Sequence, residues 1–251
     1  MVDRMNADEY SNLGRVEREH WYYAGKRQLV RGWIERTAAL GRDSRLLDCG
    51  AGTGLFAASM RDTCRVQVLD DHAESLAILR TRFTAEEIVE GSATAIPLPA
   101  ASADCVTALD VLEHIKDDRG AAAEISRVVR PGGTAVITVP AMMSLWGYWD
   151  VALHHHRRYT PAELAALFPT ADWEIVHLNY TNVAVFPAVW LVRRWQRWRN
   201  PGAASRVEDK IPPAWLNRLL QALFVRLGMV SRPRFPFGVS LLLVARRRVS
   251  P

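Results

Sequence analysis

A chain of 251 residues, 49% hydrophobic and 24% charged, has the make-up of a folded globular protein and excludes disordered and fibrous classes. Cys49, Cys64 and Cys105 lie far apart without a CxxC pair, which points to a reducing compartment. The acid-bearing first 20 residues do not read as a secretory signal, and the longest charge-free apolar stretch, 183–192, is about half a membrane span, so a cytoplasmic protein is expected. The net charge of +5 is uneven: residues 190–251 hold 13 basic and 2 acidic residues, the remainder 19 basic and 25 acidic, so the last section suits an anionic partner.

In chain order, a helix is expected from about Trp21 to Leu40, closed by Gly41. Residues 44–50 (SRLLDCG) form an apolar run of strand length that stops at a glycine, and 55–61 reads as a short helix. Residues 65–70 alternate as a strand ending in acids, and 73–82 is helical. Short strands fit 88–90 and 104–110, a helix fits 118–129, and PGG at 131–133 turns the chain into another buried strand. Repeated strand–helix alternation indicates a parallel sheet with helices on both faces. Beyond Pro140, a loop rich in Trp, His and Arg leads to a helix opened by Thr160-Pro161. Strands are expected at 173–180 and 239–245, separated by two amphipathic helices and the polar linker 200–213.

The chemistry concentrates first at Asp48-Cys-Gly50-Ala51-Gly52-Thr-Gly54, where a strand meets a helix. Glycines there let the backbone approach a ligand, which would lie at the carboxyl end of the first strand. Asp70 ends the second strand, where a carboxylate can accept both hydroxyls of a ribose. A dinucleotide and S-adenosylmethionine (SAM) both fit this layout. The dinucleotide fingerprint GxGxxG fails, because Leu55 occupies the place of its last glycine. An acid beside the loop also suits a cationic ligand and repels a pyrophosphate.

LLDCGAGTG resembles the first motif of the class I SAM-dependent methyltransferases, and VLDDHAESLAILR resembles their acidic second motif. EGSATAIPLPAASADCVTALDVLEHI is similar to their adenine-binding and post-fourth-strand segments, and RVVRPGGTAVITVP to their fifth-strand motif. The resemblance runs over residues 20–180. It implies a Rossmann-like α/β fold, a seven-stranded sheet ordered 3-2-1-4-5-7-6 with the seventh strand antiparallel. One domain over 1–251 is implied, with a helical cap at 1–40, a SAM-binding core at 41–180 and a helical lid at 183–235. Carried over by position, Asp48, Gly50, Ala51 and Gly52 would line the methionine part of SAM, and Asp70 would hold the ribose with Asp71 beside it. Ser92 and Ala93 stand near the adenine, Ser92 replacing the usual Asp. Asp110, Val111 and His114 follow the fourth strand, on the edge shared by cofactor and acceptor, and HWYYAGKR (20–27) resembles a segment that closes over SAM.

SAM carries an activated methyl, so the protein mostly aligns a nucleophile, and a hydroxyl acceptor also needs a base, for which histidine fits best. Two histidine groups compete. Asp110-Val-Leu-Glu113-His114 resembles the ExxEH segment of ubiquinone-biosynthesis O-methyltransferases, linked there to a divalent cation. The alternative, adopted here, is that Glu113 and His114 serve a turn and the pocket wall, with no metal. Residues 149–160 resemble a bacterial subgroup with a D…HxRRYT stretch. On that resemblance His155 is the expected base, Asp150 its orienting partner and Tyr159 a further site residue, with Arg157 and Arg158 either gripping an anion or tying the loop down. His154 and His156 read as exposed loop residues, His20 and His177 as structural.

In the last insert, Leu191, Trp195 and Trp198 share one helix face with Arg193 and Arg197 nearly opposite, and Leu216, Leu219, Leu220, Leu223 and Leu227 form a stripe on the next. The expectation is a lid that buries both stripes in the same molecule; a dimer contact and a peripheral membrane anchor are the alternatives. The expected function is methyl transfer from SAM to a small-molecule hydroxyl, leaving S-adenosylhomocysteine, on an apolar or anionic acceptor and not on nucleic acid. An RNA methyltransferase, a nucleotide-binding oxidoreductase and an idle SAM-fold protein are the rivals.

Overall fold

The computed structural model describes residues 16–199 and 211–249. Seven strands, β1 (Arg45–Cys49), β2 (Arg65–Asp70), β3 (Ile88–Glu90), β4 (Ala103–Leu109), β5 (Val129–Pro140), β6 (Trp173–Thr181) and β7 (Ser240–Arg247), form one sheet in the order β3-β2-β1-β4-β5-β7-β6. The first five pair in parallel, and β7 runs antiparallel to both β5 and β6, as expected. Continuous apolar runs such as Leu241–Ala245 belong to strands covered on both faces, and these residues are fully buried. The turn expected at 131–133 lies inside β5 instead: Ala103 pairs with Val129 and Cys105 with Thr134, so the intervening residues bulge.

The helices are α1 (Trp21–Thr37), α2 (Leu55–Ser59), α3 (Ala73–Leu79), α4 (Asp118–Val128), α5 (Tyr148–Ala152), α6 (Pro161–Ala166), α7 (Phe186–Arg199) and α8 (Ala214–Gly228). Their starts follow local chemistry: Thr160 and Glu163 cap α6 reciprocally with Pro161 in its first turn, and Asp117 accepts from the Gly120 amide at α4. One face of the sheet packs Ala121, Ala122 and Ile125 of α4 with Leu164, Phe168 and Trp173. The other packs Leu29, Val30, Trp33 and Ile34 of α1 with Phe56, Leu76, Leu79 and Phe224. Gly25 of α1 lies so close to α8 that a Cβ there would stand 2.7 Å from the Phe224 ring.

The expected burial of the insert's stripes is corrected. In α7 the exposed side chains are Trp190, Leu191, Val192 and Trp195, while Arg193 is buried, turned toward Gly147. In α8 the contact with α1 runs through Phe224 and Gly228, leaving Trp215, Leu219 and Leu223 exposed and Leu216, Leu220 and Leu227 half-buried. The side chains of Arg197 and Trp198, most of the linker 200–213 and the first 15 residues of the cap lie outside the described residues.

Candidate active site

The loop after β1 is built by its own backbone. Gly50 and Ala51 both donate to the Leu69 carbonyl, Gly52 donates to Asp70 Oδ2 at 2.9 Å, and Gly54 donates to Ala51. Gly50 has a φ of 68° and faces Val111 so closely that a Cβ would lie 2.6 Å from it, so only glycine fits. With these four N–H groups spent inside the fold, they are not available to a pyrophosphate, which removes the main attraction of the dinucleotide reading.

A cleft of about 820 Å³ opens beside this loop, lined by Gly50, Asp70, Asp71, Ser92, Ala93, Asp110 and Val111, with His114, His154 and His156 at its other wall. Its size is ordinary for a nucleoside-sized ligand. Asp70 is buried and accepts from the Gly52 and His72 amides, one on each oxygen, so each oxygen keeps a lone pair for a hydroxyl. Asp71 is exposed beside His72. Ser92 shares a hydrogen bond with Thr94 at 3.1 Å. Asp48 is placed differently from the expectation. It is buried beneath the loop, accepting from Thr107 Oγ1 at 2.7 Å, and lines neither cavity described here; burial pushes its carboxyl up to about 7. His154 and His156 are exposed, as expected, but stand on the cleft wall.

A second cavity, about 370 Å³, adjoins the first and shares Asp110, His114 and Leu153 with it. His20, Tyr22 and Lys26 of the N-terminal segment cover it on one side, Val185, Val189 and Arg193 on another, and Glu113, Trp149, Asp150, His155 and Arg158 form its floor. Asp110 directly follows β4 with a left-handed φ of 56°. Its carboxylate accepts from Lys26 Nζ at 2.6 Å, Tyr22 Oη at 3.1 Å and Thr138 Oγ1 at 2.9 Å. Burial alone would raise this carboxyl, but the Lys26 charge and these donors hold it below the ordinary range. The segment before α1 is tied to the glycine loop as well, where Thr53 Oγ1 donates to Glu17 at 2.6 Å.

His155 Nδ1 lies 3.0 Å from Asp150 Oδ1, which also receives Arg158 Nε at 2.7 Å, while Asp150 Oδ2 accepts the Gly147 amide at 2.8 Å. Burial would raise the Asp150 carboxyl, yet His155 and Arg158 together hold it low and ionised. The His114 ring stands edge-on to His155 at 4.6 Å, and burial and its neighbour keep His114 below the usual histidine range. Glu113 is fully buried, neither carboxyl oxygen has a hydrogen-bond partner among the described residues, and burial holds it well above the usual carboxyl range. Beside this cavity the donor set able to converge on an ion is Glu113, His114 and His155, with donor atoms within 4.8 Å, and Asp110 is instead paired with Lys26; Asp70, Asp71 and His72 form a second such group by the cleft.

Tyr159, expected at the site, is not brought there. It is buried under the loop, its hydroxyl donating to Asp118 at 2.8 Å, and it lines neither cavity. Arg157 pairs with Asp118 at 2.7 Å, while Arg158 secures Asp150 and donates to the Ala141 carbonyl. His177 stacks on Trp33 in the core at 3.9 Å, as its structural reading required, and His20 caps α1. Sequence reasoning missed Lys26, whose partner is 84 residues away, and the inward turn of Arg193.

Residues 47–137 match the family described as "Methyltransferase domain". A probable S-adenosylmethionine-dependent methyltransferase of Mycolicibacterium smegmatis is 32% identical over 165 residues, covering 64% of this chain and 62% of that protein. A malonyl-[acyl-carrier protein] O-methyltransferase of Enterobacter lignolyticus is 32% identical over 123 residues, covering 46% of this chain and 49% of that one. The chain thus spans between about half and three-fifths of the length of these relatives. In fold it is similar to a SAM-dependent methyltransferase from Archaeoglobus fulgidus, with a TM-score of 0.59 at 14% identity over 93% of this chain and 98% of that one. Residues 47–137 are thus similar in sequence to a methyltransferase domain, and the sheet order around them is that of the neighbours in fold.

Proposed function

We propose that the chain transfers the methyl group of SAM to a hydroxyl of a small molecule, with His155 as general base. The observation that carries this reading is the His155–Asp150 pair facing a cavity that adjoins the cleft beside the glycine loop. SAM, when bound, supplies a methyl on sulfonium that needs no further activation. The chain's part is to align the acceptor and to take its proton. With Nδ1–H donating to the ionised Asp150, His155 Nε2 is the acceptor that removes the hydroxyl proton, and Asp150 stabilises the imidazolium that results. Arg158 and the Gly147 amide fix Asp150 in place. Burial raises the Glu113 carboxyl well above its ordinary range, which disfavours a second negative charge beside the base.

Trp149, Leu153, Val185 and Val189 give the cavity its apolar lining and favour an acceptor with an apolar body. The relative named as an O-methyltransferase supports transfer to oxygen. The test is transfer of labelled methyl from SAM into fractions of the source cells: small molecules and lipids, protein, and RNA. Label in the first fraction is expected, in a bond that survives both mild acid and mild base, as an ether methyl does and an ester methyl does not. Label in RNA alone would replace this reading with the nucleic-acid one. Activity removed by a chelator and restored by a divalent cation would move His155 from base to ligand, together with Glu113 and His114.

A further inference from the structure

The geometry points to a second working surface: the outward faces of α7 and α8 dock on an anionic lipid bilayer, and the acceptor is an amphiphile drawn from it. Docking is independent of the methyl-transfer reading; the membrane origin of the acceptor rests on it.

The argument begins with an inversion. A surface helix ordinarily turns its apolar stripe inward and its arginines outward. In α7 the apolar residues face outward instead: Leu191 is 60% and Trp195 52% exposed beside the exposed Arg194, while Arg193 is 7% exposed. In α8, Trp215 is 69% and Leu219 49% exposed, with Arg218 and Arg226 exposed on the same side. Single exposed apolar residues need no explanation, but two helices that both present large ones, two of them tryptophan in α7, do.

Charge selects the occupant. From residue 175 to 249 the chain has only two acids, Glu208 and Asp209, against 13 basic residues. A second copy of the chain would set Arg194, Arg218 and Arg226 against themselves, which opposes a symmetric dimer through this face. An anionic bilayer satisfies both halves of the pattern, since tryptophan favours the interface and arginine meets lipid phosphate. No helix among the described residues is long and apolar enough to cross a membrane, so the contact is with the surface.

Placement ties the surface to the site. The inward side of α7 supplies Val185, Val189 and Arg193 to the smaller cavity. The first turn of α8 is joined to the opposite wall, where Asn217 Oδ1 accepts the amide of Trp21 at 2.9 Å and Asn217 Nδ2 donates to the Glu19 carbonyl. Of the two helices that carry outward apolar faces, α7 therefore lines the cavity proposed for the acceptor, and α8 braces the segment that covers it. An amphiphile whose chain lies in the bilayer would need to travel only past α7 to reach His155.

The experiment is sedimentation of the full chain with phosphatidylcholine vesicles, with and without 30% phosphatidylglycerol, at low and high salt. Binding to the anionic vesicles that weakens at high salt is expected. R194A/R218A should lower the anionic partition about 25-fold, on the scale of about five-fold for each arginine near such a surface. L191S/W195S should abolish binding even at low salt while SAM affinity, read by calorimetry, stays as in the parent. These four residues line neither cavity. No co-sedimentation, or binding indifferent to both variants, overturns the proposal. So does a concentration-dependent dimer that L191S/W195S dissolves, which would make the face an interface between copies. A parent chain that binds vesicles but not SAM would sink the methyl-transfer reading and leave the docking surface standing.

Discussion

Asp48 lies under the glycine loop with its carboxyl pushed up to about 7 by burial, so its charge changes within the physiological range. SAM carries net positive charge, and its binding favours the ionised form. Affinity for SAM should therefore rise with pH, by up to about tenfold between pH 6 and pH 8, with proton release on binding in the lower half. D48N should flatten that profile; a flat profile in the parent would show that Asp48 does not feel the ligand. Asp70 acts by hydrogen bonds instead. D70N and D70A should weaken SAM binding by roughly tenfold to a hundredfold, the worth of one charge-assisted bond of about 1.5–3 kcal/mol. H155A should lower turnover roughly 100-fold or more with SAM affinity unchanged, and H114A, which removes a wall of both cavities, should disturb SAM affinity as well. The reverse pattern would transfer the base to His114. Asp70 was legible because a residue at the end of a β2-type strand has a fixed address in such a sheet. Tyr159 was not, because its direction is set by Asp118, 41 residues away, which no local pattern reveals.

At the scale of elements, α1 is held on two sides near its start. Gly25 lets it lie against Phe224 of α8, and Lys26 and Tyr22 reach across to Asp110 at the junction of the two cavities. Burial would lower the Lys26 ammonium, but Asp110 raises it well above its ordinary value, so the pair stays ionised at any pH of interest. K26A leaves the Asp110 carboxylate with only neutral donors. It should cost about 3 kcal/mol, the low end for a buried pair, because both partners keep some exposure. For a chain of this size that is a fall of roughly 6–12 °C in Tm, recovered in part by K26A/D110N, which removes the orphaned charge. Equal stability of K26A and the parent would mean the clamp is ornamental. The existence and extent of α7 and α8 could be read from periodicity, since it tells which residues share a face. It cannot tell which face is inside. That choice was made by α1, which takes the Phe224 side of α8, and by the cavity, which takes Arg193 of α7.

At the scale of the molecule, the chain's alternation of strands and helices gave a parallel sheet with helices on both faces, and the strand order came from the resemblance carried by the motifs after the first, second, fourth and fifth strands. β7, which follows the segment expected as a lid, completes the sheet by pairing with both β5 and β6. That position has a consequence for how the chain is made. β5 is complete at Pro140, yet its partner β7 does not begin until Ser240, roughly a hundred residues later. On a ribosome adding about 5–20 residues per second, the open edge of β5 waits about 5–20 s for its neighbour. During that wait an edge with free N–H and C=O groups emerges together with helices whose leucines and tryptophans face outward even in the finished fold. A nascent chain stalled before Ser240 should thus be bound by chaperones or aggregate, whereas one stalled far enough past Arg247 for the last strand to leave the tunnel should resist protease. The protein is, in its making, a sheet that stays unfinished until β7, the seventh of its strands, is made.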